Sequence, residues 1–170
     1  MSFITLEQLL ASRDNRSNRQ QQLLKQHPDE TLLCLTVIIP GSEKRTRESL
    51  IIAQAAAAEL RKTLNDTVTL WEEHDLQTGF ELYILTTLPN LEAKRLTCRI
   101  EENHPLGRLF DIDVIEHDGI PVPRSAVGGE ERRCLLCNMP ARHCMRQRKH
   151  TTEELLQHIK NTVNNYHQHN

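Results

Sequence analysis

Aromatic side chains are scarce in this 170-residue sequence, which holds three Phe, two Tyr and one Trp. Any core must therefore be mainly aliphatic. Long apolar runs are missing as well. No stretch approaches the roughly 20 residues that a membrane span needs, so no membrane association is expected. Basic charge is not in surplus: 21 Lys and Arg stand against 23 Asp and Glu, a formal net charge of −2. A general nucleic-acid binder needs a positive excess, so nucleic acid is not expected as a partner. Neither the phosphate-loop spacing G-x-x-x-x-G-K nor the nucleophile turn G-x-S-x-G occurs. Their absence argues against a P-loop enzyme and an α/β-hydrolase. Met1 to Leu10 have no basic segment and no long apolar stretch, so no secretory leader is expected. Cysteine is present but odd in number: of the five, three lie between Cys134 and Cys144. That pattern fits free thiols or metal ligands in a reducing compartment, and a cytoplasmic protein is expected.

What is present suits one globular domain over residues 1–170. Hydrophobic residues make up 38% of the chain. They gather in dense Leu, Ile and Val segments, which a disordered chain lacks. Residues 5–26 read as a helix with Leu6, Leu9, Leu10, Leu23 and Leu24 as apolar positions and a polar middle that belongs over a surface or a site. Residues 31–39 are a strand-length apolar run and predict a buried strand. Pro40 and Gly41 end it, and Ser42 is the expected N-cap of a helix to about Leu64 with a small-residue face at Ala53 and Ala55–Ala58. Residues 67–74 and 80–87 read as two strands joined by a turn at Gln77-Thr78-Gly79. A helix or irregular segment follows to about Glu102, then a strand from Leu109 to Glu116. Strand, helix, strand, strand, helix, strand is the split βαβ order of a ferredoxin-like α+β fold, a mainly antiparallel sheet with N- and C-terminal helices added. Residues 120–150 are expected to be irregular, basic and cysteine-containing. A last helix over 151–168 is expected, capped by Thr152, with a stripe of Leu155, Leu156, Ile159 and Val163.

Chemistry concentrates in a few places. In Leu109-Phe110-Asp111-Ile112-Asp113-Val114-Ile115, strand alternation puts Asp111 and Asp113 on one face and Phe110, Ile112 and Val114 on the other. Two such carboxylates suit a hard cation such as Mg²⁺, or one of them can take a proton from an attacking hydroxyl. A solvated acidic edge strand accounts for the same triplet. Gly107 and Arg108 precede it; glycine permits close backbone approach, and arginine suits phosphate oxygens. From Arg132 to Thr152 the only charged residues are cations: Arg132, Arg133, Arg142, Arg146, Arg148 and Lys149. A polyanionic ligand, an acidic partner or plain solvation fits that run. Cys134-x-x-Cys137, Cys144 and His150 have the ligand types of a tetrahedral Zn²⁺ site, and a packed cluster of reduced thiols is the other reading. Lys44, after Pro40-Gly41-Ser42, lies near a helix start that can receive an anion or merely be capped.

Together these segments resemble one family, the apo-citrate lyase phosphoribosyl-dephospho-CoA transferases, also called holo-citrate lyase synthases. The resemblance rests on Leu9-Leu10-Ala11-Ser12-Arg13-Asp14-x-Arg16, on Leu35-Thr36-Val37 to Pro40-Gly41, and on His104-Pro105-Leu106-Gly107-Arg108-Leu109-Phe110-Asp111-Ile112-Asp113-Val114. It ends with Arg133-Cys134-Leu135-Leu136-Cys137 and Cys144-x-Arg146-x-x-x-His150. It implies transfer of 2′-(5″-triphosphoribosyl)-3′-dephospho-CoA to a serine of the acyl carrier (gamma) subunit of citrate lyase, with diphosphate as leaving group. It makes Asp111, Asp113 and Arg108 the catalytic candidates, with Mg²⁺ on the two aspartates. Gly107, Arg13, Arg16, Lys44, Arg124, Arg133 and Arg146 become substrate-binding candidates. His104 joins the two aspartates as a candidate base. The alternatives are a zinc-stabilised, non-enzymatic adaptor for an acidic partner and a related transferase for another carrier protein.

Overall fold

Thr31–Val37 forms β1, and Leu32, Leu33 and Leu35 within it are fully buried. The strand reads as a continuous apolar run because both of its faces are covered. The computed structural model describes residues 3–168, so the ends of the expected 1–170 domain lie outside the described residues. Before β1 runs α1, Leu6–Gln26, opened by a capping box in which Thr5 and Gln8 exchange hydrogen bonds. After β1 come α2 (Arg47–Leu64), the hairpin β2 (Val68–Leu76) and β3 (Gly79–Thr86), α3 (Asn90–Asn103) and β4 (Phe110–Ile115). The sheet order is β2-β3-β1-β4, antiparallel throughout. This is the split βαβ arrangement expected from the order of elements. The short α4 (Ala141–Gln147) and the 17-residue α5 (Thr152–Gln168) follow.

One sheet face carries the main core. Leu33, Leu35, Leu82, Ile84, Phe110, Ile112 and Val114 meet Ile52, Ala56 and Leu60 of α2, Ala93 and Ile100 of α3, and Ile159 and Val163 of α5. Ala53 and Ala56 have no exposed surface and let α2 lie close on the sheet. On the opposite face only the C-terminal half of α1 is buried: Leu23 and Leu24 pack on Leu32, Cys34, Tyr83 and Leu85. Among the described residues no helix is long and apolar enough to cross a membrane.

Several local expectations need correction. The cap of α2 is Thr46, which trades hydrogen bonds with Ser49, and Ser42 lies in the preceding loop, where its carbonyl accepts from the Ile4 amide. The cap of α5 is Thr151, whose hydroxyl accepts from the Glu154 amide while the Glu154 carboxylate accepts from the Thr151 amide. Nearby Ser and Thr residues compete as caps, and a hydrogen-bonding side chain three residues on, Ser49 after Thr46 and Glu154 after Thr151, decides between them. Leu6, Leu10 and Leu156 are exposed, so the outer turns of α1 and α5 do not bury their stripes. Residues 120–150 are irregular apart from α4 and a 3-10 turn at Arg124–Val127.

Gly107 joins α3 to β4 through a 3-10 turn, Gly107–Leu109. A Cβ there would lie 2.5 Å from the Glu101 carbonyl oxygen and 2.6 Å from that of Ile100. The close approach glycine permits is thus to the backbone of α3. Gly107→Ala is expected to lower unfolding free energy by about 1–3 kcal/mol in a denaturant melt, the usual cost of an overpacked site. An unchanged midpoint would show that the turn yields.

Candidate active site

Strand register builds the site. Thr36 pairs with Asp111 on one side and Glu81 on the other, and Glu81 pairs with His74. Cys34 likewise pairs with Asp113 and Tyr83, and Tyr83 with Glu72. Two rows of polar side chains therefore cross the face opposite the main core. The polar middle of α1 lies over them. Arg16 reaches Glu81 at 3.2 Å, and Ser12 contacts Glu81 at 3.5 Å and Thr78 at 2.8 Å. Arg19 grips Glu72 with two nitrogens, at 3.0 and 2.5 Å. That hydrogen bonding holds the Glu72 carboxyl below the usual carboxylate range. Glu81 is buried and also accepts the Tyr83 hydroxyl at 2.6 Å. The pattern explains why α1 is polar where a core helix would be apolar.

Asp111 and Asp113 share this face, while Phe110, Ile112 and Val114 are buried on the other. Burial pushes the Asp113 carboxyl up, the Asp111 charge adds to that, and Lys94, Arg132 and Arg16 oppose it. Asp111 is more open; its oxygens meet the Thr36 hydroxyl at 3.4 Å and the Arg132 guanidinium at 3.4 Å. β4 is the edge strand, yet its outer backbone is not left to solvent. The Ile112 amide donates to Glu101 at 2.9 Å, and the Phe110 carbonyl accepts from Arg132 at 3.0 Å. Cys34, opposite Asp113 on one side and Tyr83 on the other, is a thiol that burial pushes up to about 12.

Beside this edge lies a cleft of about 410 Å³ lined by Glu101, Gly107, Arg108, Arg124, Arg132 and Arg133. Four predicted site residues thus come together. Their guanidinium groups are already engaged. Arg108 donates to the carbonyls of Arg133 and Cys134 at 2.5 and 3.0 Å. Arg124 binds Glu101 and Glu102, each at 2.5 Å, and Arg133 reaches the Asn138 carbonyl at 2.9 Å. Lys44 turns its ammonium to the Ile39 carbonyl, and burial and then Arg13 lower its pKa. Arg13 and Lys44 therefore sit together near the β2–β3 turn, apart from the cleft. Arg146 is exposed on α4. His104 stacks at 4.9 Å on Phe110 and 5.5 Å on Tyr166, its Nδ1 accepting the Leu106 amide at 3.0 Å. It lies on the helix-covered side, and burial lowers its pKa.

The four cysteine and histidine candidates also meet. Ligand atoms of Cys134, Cys137, Cys144 and His150 all lie within 4.8 Å of one another. Cys137 Sγ is 3.5 Å from Cys144 Sγ and 3.4 Å from His150 Nε2. A tetrahedral Zn²⁺ with bonds of about 2.0–2.3 Å needs ligand separations of roughly 3.5–4 Å, and Cys₃His is a structural zinc donor set. Burial raises the Cys134 thiol, but amides of Leu136 and Cys137 and the neighbouring thiols outweigh it and lower the pKa. The residues present fit the metal.

Comparison with known proteins decides the family. The family model for apo-citrate lyase phosphoribosyl-dephospho-CoA transferase matches residues 4–166. A probable enzyme of that name from Streptococcus pyogenes serotype M3 is 34% identical over 156 residues, 89% of this chain and 81% of that protein. One from Vibrio cholerae serotype O1 is 33% identical over 169 residues, 96% and 93% of the two chains. The chain belongs to this family. It is therefore a transferase, and the adaptor reading is not favoured.

Three residues of this candidate site escaped the sequence reading as site residues. Arg132 was visible only as one cation in a basic run. Glu101 resembled a solvated helix-end carboxylate, yet it is 4% exposed and held by Arg124, Arg132 and the Ile112 amide. Glu81 is the third, and alternation of Glu81 with Tyr83 along a strand was the one available signal. The face offers carboxylates for a divalent cation with arginines beside them, an arrangement suited to moving a phosphoryl-linked group.

Proposed function

We propose that this transferase moves the phosphoribosyl-dephospho-CoA group from 2′-(5″-triphosphoribosyl)-3′-dephospho-CoA to a serine of the acyl carrier (gamma) subunit of citrate lyase, in the cytoplasm. The serine oxygen forms a bond to the phosphorus nearest the ribose. The bond from that phosphorus to the bridging oxygen breaks, and diphosphate leaves with the electron pair. The serine proton passes to a carboxylate. The observation that carries the reading is the pair Asp111 and Asp113 on one sheet face, with Lys94, Arg132 and Arg16 as the cations that act on Asp113. Asp111 and Asp113 would hold Mg²⁺, which when bound neutralises charge developing on the phosphate oxygens. Arg16 and Arg132 add fixed positive charge, and both are anchored by buried carboxylates, Glu81 and Glu101, so little reorganisation accompanies the reaction. No protein nucleophile is needed, because the acceptor supplies the hydroxyl.

Two further parts belong to the same reading. Cys134, Cys137, Cys144 and His150 would hold one structural Zn²⁺. Arg142, Arg146, Arg148 and Lys149 are exposed and form no ion pair among the described residues, which suits docking of an acidic carrier. The test is diphosphate release with the apo carrier subunit and the triphosphoribosyl precursor. Release is expected only with both present together with Mg²⁺. Release without the carrier, or none with a competent carrier, would contradict the assignment.

A further inference from the structure

The cysteine–histidine cluster and the aspartate pair are joined by a short chain of bonds that runs through Arg132. Arg132 and Arg133 directly precede the first thiol, Cys134. The Cys134 amide donates to the Met139 carbonyl at 2.8 Å, and the Ala141 amide donates to the Arg132 carbonyl at 2.8 Å. Arg133 and Pro140 form an antiparallel bridge between those bonds. The segment thus folds back on itself as a small knuckle, with Cys134 and Cys137 on one limb and Cys144 on the helix that follows. Arg108 fastens the knuckle to the start of β4 by donating to the carbonyls of Arg133 and Cys134.

The side chain of Arg132 then reaches from the knuckle across the outer edge of β4. Nη1 donates to the Phe110 carbonyl at 3.0 Å; Nη2 meets Glu101 at 2.5 Å and Asp111 at 3.4 Å. Among the described residues, Arg132 is the one that belongs to the knuckle and touches Asp111. Its backbone belongs to the first structure and its guanidinium to the second.

We propose that the metal held by Cys134, Cys137, Cys144 and His150 serves the active site by fixing the backbone from which Arg132 extends, and that Arg132 is a positioning residue that orients Asp111 and Glu101 at the edge of β4. The proposal rests on the reading of Asp111 as part of the active site for its catalytic consequence. Its structural half stands apart from that reading. With the metal bound, the hairpin bonds at Cys134 and Ala141 hold Arg132 at a fixed distance from β4. Without it, only the weak contacts of Cys137 with Cys144 and His150 hold the four side chains together, so they can separate, and the guanidinium loses its fixed origin. Partners that orient the ligands of a catalytic metal change activity or metal affinity by about 10–100-fold when removed.

The test reads amide exchange at Ile112, whose acceptor is the Glu101 carboxylate that Arg132 grips. Four samples are compared: zinc-loaded protein, the same protein after chelation, zinc-loaded Arg132→Ala, and chelated Arg132→Ala. Chelation and Arg132→Ala are each expected to speed Ile112 exchange about 10-fold or more, and chelation of Arg132→Ala to add less than 3-fold. Exchange at Leu33 and Ile84, on the central strands, is expected to stay unchanged. A chelation effect of full size in Arg132→Ala, an unchanged Ile112 rate on chelation, or a rise that spreads to Leu33 and Ile84 would each overturn the proposal. Steady-state kinetics supply the second arm. Arg132→Ala is expected to lower kcat about 10–100-fold with KM for the carrier within 3-fold, and Arg132→Lys to recover part of the loss. A failure of diphosphate release in the unaltered protein would remove the proposed function and leave the exchange result readable.

Discussion

Asp111→Asn and Asp113→Asn are each expected to lower diphosphate release by at least about 100-fold at saturating substrate, the scale seen when one preorganised electrostatic contact to a transition state is removed. Asparagine keeps the shape and one oxygen of the side chain and removes the charge on which a divalent cation depends. The two variants should differ in stability. Asp113 is pushed above the ordinary aspartate range by burial and by Asp111. A carboxyl whose folded-state pKa is raised takes up a proton more readily when folded than when unfolded. Above the raised value, where it is ionised in both states, its charge therefore costs folding energy, and that cost is relieved as pH falls toward the raised value. Asp113→Asn removes the charge, so its melting temperature should equal or exceed that of the unaltered protein while activity is lost. Asp111 is more exposed, so Asp111→Asn should leave stability nearly unchanged. Activity near normal in both variants would sink the role given to the pair. A large loss of stability in Asp113→Asn would show that the carboxylate is structural.

Metal removal should have the second largest effect. Metal analysis of protein prepared without chelator is expected to give about one zinc per chain, and Cys137→Ser to lower that content sharply. Binding free energies for structural zinc in small peptides are about 10–16 kcal/mol, large enough to fold a segment that has little core of its own. Residues 132–150 fit that description: in this segment only Cys134 and Cys144 are buried. Chelation should therefore open the segment, read as new proteolytic cleavage within residues 132–150, while the sheet stays protected. The thiol-cluster reading predicts the reverse. Protein with no zinc, the same cleavage pattern with and without chelator, and an unchanged melt would establish packed thiols.

The parts of this fold that could be read from the sequence are those with local causes. A strand whose first five residues are all buried shows as part of the apolar run over residues 31–39, of which Thr31–Val37 is the strand. A strand with one buried face shows as alternation, and Phe110–Ile115 placed Asp111 and Asp113 together without further information. The strand order followed from the sequence of elements, because a split βαβ unit has few ways to close an antiparallel sheet. What was not legible depends on distant partners. Glu101 and Arg132 are 31 positions apart, and Arg16 and Glu81 are 65 apart. No local pattern marks either as a pair. Without such partners the most economical reading of Glu101 is a solvated helix end. The same limit applies to Arg108, taken as a catalytic candidate, and to Arg124, taken as a substrate-binding candidate. Their guanidiniums are engaged with backbone carbonyls and with Glu101 and Glu102. The polar middle of α1 lies between the two cases. Its lack of apolar residues pointed to a surface or a site, and its partners became visible only when β2 and β3 supplied Glu72 and Glu81.

The intact mass of the acceptor tests the central claim most directly. The protein is incubated with apo acyl carrier subunit, 2′-(5″-triphosphoribosyl)-3′-dephospho-CoA and Mg²⁺, and the carrier is weighed whole. The account predicts a gain equal to the precursor less diphosphate, carried on one serine and abolished by EDTA or by Asp111→Asn. A carrier of unchanged mass, under conditions where a known synthase modifies it, would contradict the account.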